Sequence, residues 1–166
     1  LSTDEVEKRL SELEQEISRI QDGLPEPATT TDIQTYAVVR ERLEEAEEYI
    51  GRSRDALRSN NNNNNNDSLF NLAYAIERTN SAVSWAQFFG TGKKAVERTP
   101  EELQAACEAK IAEAEERVEY ARLYFPDSVA GMEQQIGRAE ADLGAGDYSL
   151  CIFRAAKAKA EANAIL

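Results

Sequence analysis

The sequence has no histidine and only two cysteines. Histidine is the commonest general base, metal ligand and pH switch, so its absence argues against chemistry that depends on it. Cys107 and Cys151 are too few for a disulfide scaffold and lack metal-ligand spacing. No GxSxG motif is present, and "GTGK" at Gly90–Lys93 does not match a phosphate-binding loop. We therefore predict no catalytic residue, no metal ligand and no cofactor.

Long apolar runs and an excess of positive charge are also absent. No run approaches the roughly 18 consecutive apolar residues that a membrane span needs. The formal charge is −12 over 166 residues, and so acidic a surface repels phosphate backbones and anionic lipid heads. We therefore expect no nucleic-acid partner and no membrane contact.

Apolar residues recur at intervals of three and four in six segments, and no segment shows strand alternation. Two segments open with a capping box, Ser2 with Glu5 and Thr99 with Glu102. The pattern predicts an all-α fold over residues 1–166 as a single helical domain. Its six helices are expected to form an antiparallel bundle or a short solenoid.

Two similar stretches indicate an internal repeat. "IGRSRDAL" at Ile50–Leu57 resembles "IGRAEADL" at Ile136–Leu143, and each precedes a loop and an alanine-containing helix. We therefore predict two related three-helix units, residues 1–92 and 99–166. In the first unit, seven asparagines at Asn60–Asn66 are expected to form the loop at a hairpin tip, because asparagine does not propagate a helix. A recognition loop is the alternative there.

The third helix, from about Ser68 to Phe89, contains only two charged residues and is expected at the centre of its unit. Its predicted core face is made of Leu69, Leu72, Ala73, Ile76, Val83 and Ala86. The aromatic residues near its end are either core or an exposed patch that contacts a partner, and they are Trp85, Phe88 and Phe89. The same two alternatives apply to Tyr120, Tyr124 and Phe125.

Charged and sulfur-containing residues have ordinary structural explanations as well as functional ones. Glutamates at Glu44–Glu48 and Glu113–Glu119 oppose the apolar stripes, which favours solvated faces over a metal site. Cys107 and Cys151 lie on the apolar faces of their helices. Three interpretations are open: buried small hydrophobic residues, a disulfide or redox pair, or a reactive thiol. The last helix is basic, which suits acidic neighbours or an acidic partner. Its candidate partner-contact residues, beside the aromatic trio, are Arg154 and Lys157.

The segment "GDYSLCIFRAAKAKAEANAIL" at Gly146–Leu166 carries two resemblances. Its opening "GDY" resembles the start of the second helix in tetratricopeptide units, although their 34-residue period is missing here. Together with "EERVEYARLYFPDS" at Glu115–Ser128, it resembles the helical C-terminal region of archaeal Lon-like serine proteases, mainly over residues 108–166. That resemblance implies a parent peptidase whose Ser–Lys dyad lies in a separate α/β domain, so no catalytic residue carries over to this chain.

These observations favour a non-catalytic helical interaction or scaffold domain appended to a larger enzyme, such as a Lon-like serine protease, and active in substrate handling or assembly. The start at Leu1 and the end within a helical pattern suggest a piece of a longer protein. Its partner would be another protein or the rest of the parent chain, bound in a groove between helices or by the aromatic patch. One alternative is a stand-alone ligand-binding or enzymatic bundle with a pocket between the halves. The other is a self-associating helical protein that forms a homo-oligomer.

Overall fold

The computed structural model describes residues 1–27, 29–59, 64–92 and 98–166. Within these ranges the chain contains six α-helices and no strand, which confirms the predicted all-α class and its helical bundle. A single 3₁₀ turn, Pro126–Ser128, follows the fourth helix. The helices are α1 Thr3–Gly23, α2 Thr30–Arg58, α3 Asn64–Ala86, α4 Pro100–Tyr124, α5 Ala130–Ala145 and α6 Tyr148–Ile165.

The helix ends follow local sequence signals. Both capping boxes form: the Ser2 amide donates to the Glu5 carboxylate at 2.6 Å, and the Thr99 amide donates to the Glu102 carboxylate at 2.9 Å. α5 ends at Ala145 and is capped by Gly146, whose φ of 77° is a left-handed conformation that glycine adopts without steric cost. Asp147 then caps the start of α6.

The asparagine run differs from the predicted loop. α3 begins at Asn64, so the last three residues of Asn60–Asn66 are helical, while the first four lie outside the described residues. Asparagine is unfavourable within a helix but favoured at its N-terminus, and Asp67 in the first turn suits the positive end of the helix dipole. At its other end α3 stops at Ala86, three residues before the predicted end, because the following amides bond carbonyls three residues back.

The described residues form two compact units. Unit 1 comprises residues 1–26 and 38–91, and unit 2 comprises residues 27–37 and 92–166. The predicted halves placed residues 27–37 with the first unit. Within unit 2, Gly92 lies so close to Thr31 that an added Cβ would be 2.7 Å from the threonine side chain, so glycine is required for this approach.

The core of unit 1 is built from one face of each of its helices. The apolar residues at intervals of three and four in α1 face this core: Val6, Leu10, Leu13 and Ile17 are buried, and Ile20 and Leu24 are partly buried. They pack with residues of α2 and α3 in one cluster, which includes Val39, Leu43, Ala46, Ile50, Leu72, Ala75 and Ala82.

The predicted core face of α3 is wrong for several of its members. Ile76 and Val83 are each 41% exposed, and the buried face instead contains Ser68, Leu72, Ala75, Thr79 and Ala82. The hydroxyl groups on this face have hydrogen-bond partners, because Ser68 lies 2.9 Å from Ser53 Oγ and Thr79 donates to the Ala75 carbonyl at 2.9 Å. Small residues whose hydroxyl groups are hydrogen-bonded can therefore occupy the core, while larger apolar side chains lie on a more exposed side of the helix.

The core of unit 2 is built from residues of α4, α5 and α6. α6 contributes Cys151 and three alanines, which let it pack closely against both α4 and α5. α4 and α5 have fewer contacts with each other than either has with α6. Cys107 in α4 and Cys151 in α6 are fully buried and joined by a disulfide, which decides between the alternatives that the sequence left open.

Candidate functional site

The described part of the chain contains no group of three or more histidine, cysteine, aspartate or glutamate side chains placed to hold a metal ion. Several glutamates of the two acidic faces form ion pairs instead, among them Glu113 with Lys110 and Lys159. Glu45 lies 3.0 Å from Arg42 and 3.2 Å from Arg78, and Glu48 lies 2.6 Å from Arg52. Across its described residues, the chain also has no helix with the length and apolarity of a membrane span.

The aromatic residues after α3 divide into two groups. Trp85 and Phe88 are exposed and lie against each other, with ring centroids 5.5 Å apart. Phe89 is partly buried and packs against the core of unit 1. The pair Trp85 and Phe88, which we call the unit 1 patch, is therefore the part of the predicted trio that a partner could reach.

A second group of exposed apolar side chains lies at the end of α4. Tyr120 and Tyr124 meet edge to face with centroids 5.3 Å apart, and Phe125 follows them. Leu123 is 72% exposed and belongs to the same surface, although the sequence-based reasoning did not single it out. The sequence signal for its exposure was the position of this leucine, which lies outside the buried face of α4. We call Tyr120, Leu123, Tyr124 and Phe125 the unit 2 patch.

The basic residues of α6 are engaged within unit 2. Arg154 is only 7% exposed, and its Nε lies 3.2 Å from Asp142 Oδ2. Lys159 donates to Glu113 at 2.7 Å, and Lys157 is half-buried. The basic helix thus lies beside acidic neighbours, as its charge pattern predicts. Arg154 is positioned by an internal ion pair, and this burial removes it from the surface that was predicted to contact a partner.

A groove of about 560 Å³ runs between α4 and α5 on the surface of unit 2. Its apolar lining consists of small and medium side chains, namely Ala112, Val118, Ile136 and Gly137. Its acidic lining consists of Glu115, Glu116, Glu119, Glu133 and Glu140. Arg122 pairs with Glu119 of its own helix and with Glu133 of α5, and the hydrogen bond to Glu133 raises the pKa of Arg122 above its ordinary value.

The sequence predicted a solvated acidic face where this groove lies. The groove exists because α6 packs closely on both α4 and α5 while those two helices have fewer contacts with each other. The periodicity of apolar residues in a sequence does not indicate how far apart two helices lie. The one local signal was small residues, Ala112 and Gly137, at positions that face neither the core nor a turn.

Comparisons of the chain with models of protein families, with curated proteins and with solved structures found no match.

Proposed function

We propose that this chain is a non-catalytic helical interaction or scaffold domain that binds another protein or another part of its own parent chain. One observation carries the proposal: large apolar side chains are exposed in clusters, the unit 1 patch and the unit 2 patch. Contiguous exposed apolar surface commonly marks protein contacts. Tryptophan and tyrosine are also the residues that most often dominate the binding free energy of an interface.

The chemistry of the patches supports binding more than catalysis. Trp85 and Phe88 have no ionisable side chain, and the unit 2 patch adds leucine and phenylalanine to two tyrosines. A partner that covered these side chains would gain roughly 25 cal/mol for each Å² of apolar surface removed from water. The two patches therefore suit contact with an apolar partner surface.

We further propose that the two units are related repeats with TPR-like hairpins. Support comes from matched positions in "IGRSRDAL" and "IGRAEADL": Ile50 and Ile136 are both buried, as are Ser53 and Ala139. A repeated helical unit offers two surfaces of similar shape, which suits a scaffold.

The resemblance of residues 108–166 to the helical region of Lon-like serine proteases supports a parent of that class. In that setting the domain would handle substrate or support assembly, and the peptidase dyad would lie in a different domain. The nucleotide sequence around the coding region tests this part of the proposal: an adjoining α/β domain with a serine–lysine pair is expected in the same reading frame. A different neighbouring domain would overturn the protease assignment and leave the interaction role to be tested separately.

The interaction role is tested by site-specific photo-crosslinking in the source cells. A photoreactive amino acid replaces Phe88 in one variant and Tyr124 in another, with Gln15 and Gln134 as exposed control positions, one in each unit. We expect a discrete crosslinked product from at least one patch position and none from the controls. Equal labelling at all four positions, or no product at any of them, would contradict the proposal. A product of twice the chain mass would identify self-association.

A further inference from the structure

We propose that the groove between α4 and α5 binds a basic amphipathic helix of a partner protein. This inference rests on the proposed interaction function and names the chemistry of one partner. The groove is distinct from the unit 1 patch, and it adjoins the unit 2 patch because Glu116 and Glu119 also line a neighbouring depression formed with Tyr120 and Leu123.

The shape of the groove suits a helix. Its sides are α4 over residues 112–122 and α5 over residues 133–140, and its volume of about 560 Å³ is open to solvent. Ala112 and Gly137 are exposed in the groove, and the core residues Val118 and Ile136 lie at its floor. An amphipathic helix that lies in such a groove inserts side chains spaced three, four and seven residues apart. Small lining residues leave room for those side chains.

The charges of the groove define the sign of the partner. Five glutamates and one arginine line it. Arg122 is paired with Glu119 and Glu133, whereas Glu115, Glu116 and Glu140 have no salt bridge within the described ranges. Lysine or arginine residues beside the apolar stripe of an incoming helix would complement these carboxylates. A second copy of this chain is disfavoured as the occupant, because each copy carries a net charge of −12.

Gly137 leaves room for a closely packed occupant of the groove. It lies in the interior of α5, where glycine is less favourable than alanine by about 1 kcal/mol. A Cβ added at Gly137 would meet nothing within 4 Å, so packing inside unit 2 does not require glycine. A glycine that lines a groove allows a second backbone to approach closely. Gly51, at the matching position of α2, is equally open, so Gly137 is compatible with a partner helix and the charges of the groove carry the choice of partner.

The test measures binding of a synthetic helix to the full chain by fluorescence anisotropy. The probe is a labelled peptide of about 18 residues, with leucine on one face and lysine on both flanks of that face. Two matched probes serve as controls: one with glutamate in place of lysine, and one with the same composition but no amphipathic order. We expect only the ordered basic probe to bind, with an affinity that falls as NaCl rises from about 50 mM to about 500 mM.

Two groove variants locate the site. Gly137→Trp fills the groove, and Glu115→Lys with Glu140→Lys reverses two of its charges. Their matched controls are Gly51→Trp, at the corresponding position of the other "IGR" sequence, and Glu16→Lys with Asp22→Lys on the exposed surface of α1. We expect each groove variant to weaken binding at least about tenfold and each control to change it less than about twofold. Because Glu115 and Glu140 are exposed, their replacement tests the site even if Gly137→Trp does not fold.

Three outcomes would overturn the groove as the site. Equal weakening by the α1 charge variant would mean general attraction to an acidic chain, and unchanged binding in both groove variants would place the peptide elsewhere. Absence of binding by the ordered basic probe would contradict a basic amphipathic helix as the partner. If crosslinking at Phe88 or Tyr124 succeeds, the proposed interaction function holds whatever the peptide probes show. Failure of the groove proposal can therefore be distinguished from failure of the interaction function.

Discussion

Cys107 of α4 and Cys151 of α6 form a buried disulfide that joins two helices of unit 2, with their Cα atoms 5.8 Å apart. The two residues are separated by 44 positions in the sequence. A crosslink over that distance restricts the unfolded chain far more than the folded one. Chain-entropy arguments give a stabilisation of about 4 kcal/mol for such a loop, and measured values are commonly about 2–4 kcal/mol.

Replacement of both cysteines, Cys107→Ala with Cys151→Ala, should therefore lower the free energy of unfolding by about 2–4 kcal/mol. Urea unfolding of the full chain, followed by circular dichroism, measures the difference. Reductant should destabilise the natural chain by a similar amount once it has been unfolded and refolded, and it should leave the double variant unchanged. Equal stability of the natural chain and the double variant would contradict a stabilising crosslink.

Arg54 in α2 ties that helix to α1 in unit 1. Its Nε lies 2.8 Å from Glu7 and its Nη2 lies 2.9 Å from Glu14, while its side chain is 23% exposed. These hydrogen bonds raise the pKa of the guanidinium, with the bond to Glu14 the largest cause. Arg54→Met should cost about 1–2 kcal/mol, because bonds between charged groups are strong but partial exposure to solvent weakens them.

The matched control for Arg54 is Arg52, two residues away in the same helix. Arg52 pairs with Glu48 of its own helix, and its side chain is 55% exposed. Arg52→Met should cost less than about 1 kcal/mol, since exposed pairs on one helix contribute little. Thermal unfolding of the two variants tests the ranking, and a larger loss for Arg52→Met would be inconsistent with the contacts described.

Arg154 and Lys157 lie one turn apart on α6 and were both predicted to contact a partner. Arg154→Met should cost about 3–5 kcal/mol, because it leaves the nearly buried Asp142 carboxylate without this arginine. Lys157→Met should cost less than about 1 kcal/mol, because the lysine is only half-buried. Urea unfolding compares the two variants. Similar small losses for both would show that Arg154 does not have the structural role proposed here.

Sequence periodicity predicted those parts of the fold that local signals determine. The stripe of α1 is uniformly apolar and its capping box is complete, so both could be read directly. α3 shows the limit of the same reasoning, because Ser68 and Thr79 are buried while Ile76 and Val83 are exposed. The burial of the two hydroxyl groups depends on hydrogen-bond partners, and Ser53 is 15 residues away from Ser68.

The parts of the candidate surfaces that were missed depend on distances between helices. The disulfide between Cys107 and Cys151 was one of the alternatives from the sequence, which could not select it because the bond requires α4 and α6 to meet at one level. The α4–α5 groove likewise depends on how closely alanines let α6 approach its two neighbours. Composition did indicate that Trp85 and Phe88 were unusual, but only packing separated them from the partly buried Phe89.

Glu113 links α4 to α6 through a contribution that depends on pH. Its carboxylate accepts hydrogen bonds at 2.7 Å from Lys110 and from Lys159, and these bonds lower the pKa of Glu113 from 4.5 to about 2. Because the pKa is lower in the folded chain, the stabilisation is fully present above about pH 4.5 and is lost as the pH falls towards 2. Melting temperatures of the natural chain and of Glu113→Gln should therefore differ near pH 7 and converge towards pH 2. In a Lys159→Met background the same substitution should show a smaller pH dependence, whereas a difference that stayed constant across this range would exclude the ionised Glu113 as its cause.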